Sequence, residues 1–168
     1  MKSKILSTFL TILLFSNSMF SQSREVFGIS GSIQSSQLGL LFPIRVKENF
    51  ILAPSIDLKI AENIGSDLSI GLAPRFLLRT EKLCPYIGLK FGALINVPSS
   101  ENSINLGTQI DILTGIAFGA EYFLADKFSV GIEAQGNFVI SDKQSYRFGN
   151  PDGKNFNTAT VVMFTIYL

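Results

Sequence analysis

The 168-residue sequence contains no histidine, no tryptophan and a single cysteine, Cys84. Without histidine, a hydrolase of the Ser–His type has no base and a His-based metal site has no ligands. One cysteine permits no intramolecular disulfide, and position 84 is too far along the chain to be the acylated first residue of a lipoprotein. A large surplus of charge of either sign is also missing: 14 Lys and Arg stand against 13 Asp and Glu. No basic excess therefore marks a nucleic-acid surface. Beyond residue 21 there is no apolar run of the roughly 18 residues that a transmembrane helix requires. Mean hydropathy is nevertheless positive. Such a chain has three options: an apolar β-sandwich, a soluble ligand-carrying barrel of the lipocalin kind, or a barrel in a membrane.

The one long apolar run comes before that point. Lys2 and Lys4, then residues 5–15 (ILSTFLTILLF), then the small residues Ser21 and Ser23, have the layout of a secretory signal peptide. We expect residues 1–21 to be that signal and residues 22–168 to be a single barrel domain.

The most informative stretch is GIAFGAEYFLADKFSVGIEAQGNFVI, residues 115–140. Ile116, Phe118, Ala120 and Tyr122 alternate with Gly115, Ala117, Gly119 and Glu121. After Leu124–Lys127 the pattern resumes, with Phe128, Val130, Ile132 and Ala134 against Ser129, Gly131, Glu133 and Gln135. Period-two alternation of this length predicts antiparallel strands with two unlike faces. One face is oily, and the other holds glycine, alanine and a few charges. A soluble sheet would show many Lys, Glu, Thr and Ser residues on its wet side. The oily face is therefore expected to point outward, into lipid.

The same reading along the chain gives eight strands, at residues 25–33, 38–46, 50–60, 68–79, 85–97, 106–123, 128–140 and 158–168. Connections after the second, fourth and sixth strands are tight, and those after the third, fifth and seventh are longer and polar. Tight turns at one end and longer loops at the other are the pattern of an eight-stranded up-and-down transmembrane β-barrel. Pro43, Pro54 and Pro74 fall inside strand patterns and are expected at bulges or strand ends. Phe27, Phe50, Tyr122, Phe128 and Tyr167 are expected to form an aromatic girdle at the tight-turn end.

The interior of so small a barrel is just filled by side chains. Arg45, Asp57, Lys59, Arg75, Arg79, Lys90, Asp111, Glu121 and Glu133 are predicted to point into it, with Arg75, Lys90 and Glu133 at the centre of a paired cluster. The cluster reads as a polar plug, or else as the lining of a narrow pore or gate. Catalysis has little support, because the inward acids lie among Arg and Lys. No cofactor is implied, and the loop 141–157 (SDKQSYRFGNPDGKNFN) lacks calcium-loop spacing. That loop interleaves Tyr146, Phe148 and Phe156 with Lys143, Arg147 and Lys154. Tyr146, Arg147 and Phe148 are its candidate ligand-binding residues.

The segments PYIGLKFGALINV (Pro85–Val97) and GIAFGAEYFLADKFSVGIEAQGNF (Gly115–Phe138) resemble the small OmpA/OmpX-type barrels, specifically the porin-family outer-membrane β-barrel proteins of Bacteroidota-like bacteria. The second segment is similar to that family's strand–turn–strand with a Glu-Tyr pair, a short Asp-containing turn and a second Glu. The resemblance implies residence in the outer membrane of a Gram-negative cell, contact with outer-membrane lipids and insertion by the outer-membrane assembly machinery. In one respect the chain departs from the pattern. Such chains often finish on an aromatic residue, whereas here Tyr167 precedes Leu168.

Overall fold

Alternation of large apolar with small or polar residues gives strands wherever it was legible. The computed structural model describes residues 26–35, 37–61, 65–98, 108–145 and 149–168. The expected signal segment lies outside them. The strands are β1 (Gly28–Gln34), β2 (Gln37–Leu41), β3 (Ile44–Lys47), β4 (Phe50–Ala61), β5 (Gly65–Leu77), β6 (Leu83–Pro98), β7 (Gln109–Ala125), β8 (Phe128–Ile140) and β9 (Lys154–Tyr167). Every recorded pairing is antiparallel, and β1 pairs with β9, which closes the sheet on itself. β2 and β3 both lie along β4 and make one interrupted stave, so the barrel has eight staves.

The interruption corrects the expected single strand at 38–46, and its cause is Pro43, which has no N–H to donate. The Pro43 carbonyl instead accepts from Gly28 N at 2.9 Å, and Phe42 N donates to the Pro54 carbonyl at 2.9 Å. Pro54 and Pro74 lie neither at bulges nor at ends. They sit inside β4 and β5, opposite Leu72 and Leu52, with the register unbroken. The β5–β6 ladder skips Ala73 and Pro74 and resumes in phase at Arg75, so the missing N–H removes a rung rather than the strand. The last strand starts at Lys154 instead of 158, which makes Phe156 a strand residue and not a loop residue.

The strands are staggered. From Val162 the paired residues lead one way through Ile132 and Ala120 to Pro85. The other way they lead through Ile33, Leu38, Leu58 and Leu68 to Ile95. The two paths meet β6 at positions 85 and 95, and a stagger of this kind tilts barrel strands by about 35–45°. At the turn end β5, β7 and β9 are each tied to the neighbouring turn: Leu77 N to Asn49 O, Phe123 N to Lys82 O and Tyr167 N to Lys127 O, all at 2.8 Å.

The outer wall is apolar on every stave. Phe27, Leu40, Ile56, Phe76, Leu89, Phe118, Ile132 and Phe164 are all exposed. Their neighbours in sequence are small, polar or charged and are turned inward. Ile132 is 56% exposed, and Glu133 beside it is 3% exposed. Within the expected girdle, Phe27, Tyr122 and Phe128 face out, Phe50 packs on Phe76 with ring centroids 4.8 Å apart, and Lys82 Nζ sits 5.2 Å from the centre of the Tyr122 ring. Tyr167 is a correction: it is 3% exposed and points inward. Period two requires this, since Ile166 and Leu168 on either side of it face out.

Candidate functional site

The interior is built as layers from the turn end upward. At the bottom, inward side chains from β7, β8 and β9 meet because Phe123 stands opposite Ser129 and Ser129 opposite Thr165, with Glu121 and Tyr167 two residues along on the same faces. The Tyr167 hydroxyl donates to Glu121 Oε1 at 2.9 Å and to Oε2 at 3.1 Å. The Ser129 hydroxyl also donates to Glu121. The Phe123 ring stacks on Tyr167 at 5.5 Å. Ile51, Leu77 and Cys84 belong to the same buried apolar cluster as Phe123 and Tyr167.

The next layer holds a buried ion pair. Arg75 on β5 reaches Glu133 on β8, with Nη2 3.3 Å from Oε2 and both side chains almost wholly buried. A carboxylate in so dry a place must be fully partnered. The Tyr86 hydroxyl donates to Glu133 Oε2 at 2.8 Å, and Gln135 Nε2 donates to Oε1 at 2.6 Å. Arg75 is held in turn by the Tyr86 ring, 4.9 Å from the guanidinium carbon, and by Met163 Sδ at 3.1 Å. Gly119 makes this layer possible. A Cβ there would fall on the Tyr86 phenol, so only glycine lets the tyrosine lie across the barrel to Glu133.

Above it, Lys90 Nζ donates to Gln135 Oε1 at 2.8 Å, and Asn137 Nδ2 reaches the same oxygen at 3.3 Å. Asp57 on β4 lies close enough to Lys90 for the two charges to act on one another. A cavity of about 250 Å³ opens toward the loop end. Gln34, Gln37, Asp57, Lys59, Asp67, Lys90, Asn137 and Asn157 are among the residues that line it. Beneath it, a pocket of about 20 Å³ between Leu41, Arg75, Lys90 and Glu133 has room for roughly one water.

Of the nine inward charges expected, Arg75, Lys90 and Glu133 come together in the middle, with Asp57 beside Lys90. The other five do not join them. Glu121 belongs to the bottom layer with Tyr167. Arg45 lies at the turn end and donates to the Glu48 carbonyl at 2.8 Å. Asp111 is at the loop end, where it accepts from Asp142 N at 2.8 Å and from the Ser145 hydroxyl at 2.9 Å. Lys59 is on the rim and exposed. Arg79 lies outside the barrel interior altogether, because β5 ends at Leu77 and the chain has left the ladder by then. Tyr146, Arg147 and Phe148 lie outside the described residues. Among the described residues no three of His, Cys, Asp and Glu converge as a metal site would need.

Sequence reading missed Tyr86, Gln135 and Met163 as members of the central layer. The parity of β6 and β8 carried the first two, since 86 and 90 share a face, as do 133 and 135. Met163 shares its face with Tyr167, which had been placed outside.

No family model matches this sequence, and no curated protein does. Among solved structures, the chain is similar to the crystal structure of the N-terminal β-barrel domain of Pseudomonas aeruginosa OprF. The TM-score is 0.54 at 17% identity, over 83% of this chain and 95% of that one. A NanC porin structure is also matched, at TM-score 0.34 and 8% identity, over 84% of this chain and 99% of that one. The OprF domain shares the barrel fold.

Proposed function

We propose that this chain is an integral outer-membrane β-barrel protein, porin-like or structural in role and not an enzyme, with an interior plugged by its own paired side chains. The observation that carries this reading is the inversion of faces. Apolar side chains cover the outside of every stave, and the ionised groups are packed within. A soluble protein exposing so continuous an apolar surface would associate or precipitate, and a lipocalin-like lipid carrier would need its oily face inside. From Tyr167 to Val162 the β1–β9 seam pairs backbone groups that a bilayer would otherwise leave unsatisfied. The likeness to the OprF barrel domain supports the same placement, as does the resemblance of Pro85–Val97 and Gly115–Phe138 to Bacteroidota-type barrels. Outer-membrane lipids and the assembly machinery are the partners this reading requires.

The plug is supported by the fate of the interior acids. Glu133, Glu121 and Asp111 all commit their carboxylate oxygens to neighbouring donors. A role for loop 141–157 in surface binding is a second reading. Its basis is that Asp111 pins the base of this loop to the barrel mouth, and its candidate residues are Tyr146, Arg147 and Phe148.

Planar-bilayer recording tests the plug. Folded protein, verified by heat-modifiable gel mobility, is expected to give no stepwise current. Discrete ion-selective steps from the unaltered chain would overturn the plug and favour a pore lined by Arg75, Lys90 and Glu133.

A further inference from the structure

The barrel wall is not equally tall all round. β1 and β2 turn back at Gln34 and Gln37, across a tight hairpin in which Ser35 adopts φ 50°. β9 pairs with β1 only from Tyr167 to Val162, yet it continues to Lys154. Bonding sides alternate along a strand. Leu168 N bonds to Phe27 O on the β1 side, and Tyr167 N to Lys127 O on the β8 side. By that alternation the backbone N–H and C=O groups of Phe156, Thr158 and Thr160 face a gap where, among the described residues, no stave stands. The gap is two staves wide, and β4 forms its other side beyond the Gln37–Lys59 pair.

Directly behind the gap lies the 250 Å³ cavity. Gln34 and Gln37 at the sill and Asn157 on the β9 side line both. Outside, Ile33, Leu38, Leu58 and Phe156 flank it, exposed and apolar, with the exposed Thr158 and Thr160 between Phe156 and the seam. A polar chamber thus meets an oily exterior through a side opening. The chamber leads nowhere, because the Lys90–Gln135–Glu133–Arg75 chain closes its floor. Its charged lining is balanced, Lys59 and Lys90 against Asp57 and Asp67. The Oδ1 atom of Asn137, a residue 3% exposed on the chamber wall, is a buried acceptor with no partner.

We propose that the gap is a side entrance from the outer leaflet, and that the chamber binds the compact zwitterionic headgroup of a membrane amphiphile. The anionic group goes to Lys90, the cationic group goes to Asp57, and the chain lies along the apolar wall outside. A purely anionic headgroup would be set against Asp57, and a purely cationic one against Lys90. This inference rests on the membrane placement proposed above.

Native mass spectrometry of the folded full chain, released from detergent with lysophosphatidylcholine or lysophosphatidylglycerol of equal chain length, tests it. One lysophosphatidylcholine per barrel is expected, retained about tenfold better than the anionic lysolipid. Lys90→Met and Asp57→Asn are each expected to lower retention by about tenfold, the scale of one charge-assisted contact. Gln34→Trp, which fills the sill without touching either charge, is expected to lower it as well. Heat-modifiable mobility establishes that each variant is folded, and any one folded variant suffices. Equal retention of the two lysolipids, or retention indifferent to these substitutions, would mean lipid held only on the outer wall and would overturn the proposal. Free phosphocholine binding as well as the lysolipid, with Gln34→Trp without effect, would overturn the side entrance. Failure of the unaltered chain to float with vesicles would instead count against the membrane placement itself, a separate result.

Discussion

Replacing Glu133 with alanine is expected to remove about 3–5 kcal/mol of folding stability, the scale set by stranding one member of a buried ion pair. Three donors lose their acceptor at once: Arg75 Nη2, the Tyr86 hydroxyl and Gln135 Nε2. Arg75 suffers most, because its remaining contacts are the Tyr86 ring and Met163 sulfur, neither of which neutralises a guanidinium. Part of the loss is expected to be recovered in the double variant Arg75→Met with Glu133→Leu, which removes the stranded guanidinium, while the Tyr86 hydroxyl and Gln135 Nε2 still lack their acceptor. Urea-dependent unfolding from lipid vesicles, followed by heat-modifiable mobility, measures both. A loss below about 1 kcal/mol for Glu133→Ala would place the pair in water, as exposed pairs contribute no more than that.

The second large effect concerns the neighbouring residue on the other face. Ile132 lies four residues in from the turn-end residue Phe128. At about 3.3 Å per residue and a tilt of about 40° this is roughly 10 Å of height, near the middle of an apolar band about 25 Å tall. Ile132→Arg is expected to cost about 2–4 kcal/mol in vesicles, whereas Leu124→Arg at the turn end is expected to cost about 0–1 kcal/mol. Both positions are more than half exposed, at 56% each. In a water-soluble protein, surface substitutions at either would stay within about 0.5 kcal/mol. The gradient between the two, and not the size of either, distinguishes lipid from water.

Both effects turn on neighbours with opposite fates, and that is the feature the residue pattern states most clearly. Ile132 and Glu133 differ by one position and face opposite ways, so strict alternation over β8 left a single assignment. The same logic put Arg75, Lys90 and Glu133 on one side of three staves. That they form one cluster was expected from the need to pair buried charges; which of them touch depends on the ten-residue stagger between positions 85 and 95 of β6, a property of the closed sheet rather than of any strand.

Alternation was least legible near the turn end, where the interior is apolar too. Ile51, Leu77, Phe123 and Tyr167 are all buried, so both faces of their strands read as oily and Tyr167 passed for a girdle residue. Arg79 failed for a different reason. It keeps the parity of Arg75 and Leu77 but stands beyond the last rung of β5, where parity no longer fixes direction. Pro43 showed the limit of strand counting, since a missing N–H split one expected strand into β2 and β3 without changing the number of staves. The gap above the β1–β2 hairpin was invisible for the same kind of reason. A short link after the first strand is plain in the sequence, but what its shortness exposes on β9 follows only from the pairing.

Site-directed spin labelling tests the inversion of faces most directly. In a Cys84→Ser background, labels at positions 118, 132 and 164 are compared with one at 135 in reconstituted vesicles. The three outward labels are expected to collide readily with dissolved oxygen and scarcely with a water-soluble nickel chelate, as lipid-facing sites do. Free access of the nickel chelate to positions 118, 132 and 164 would contradict a bilayer around this barrel.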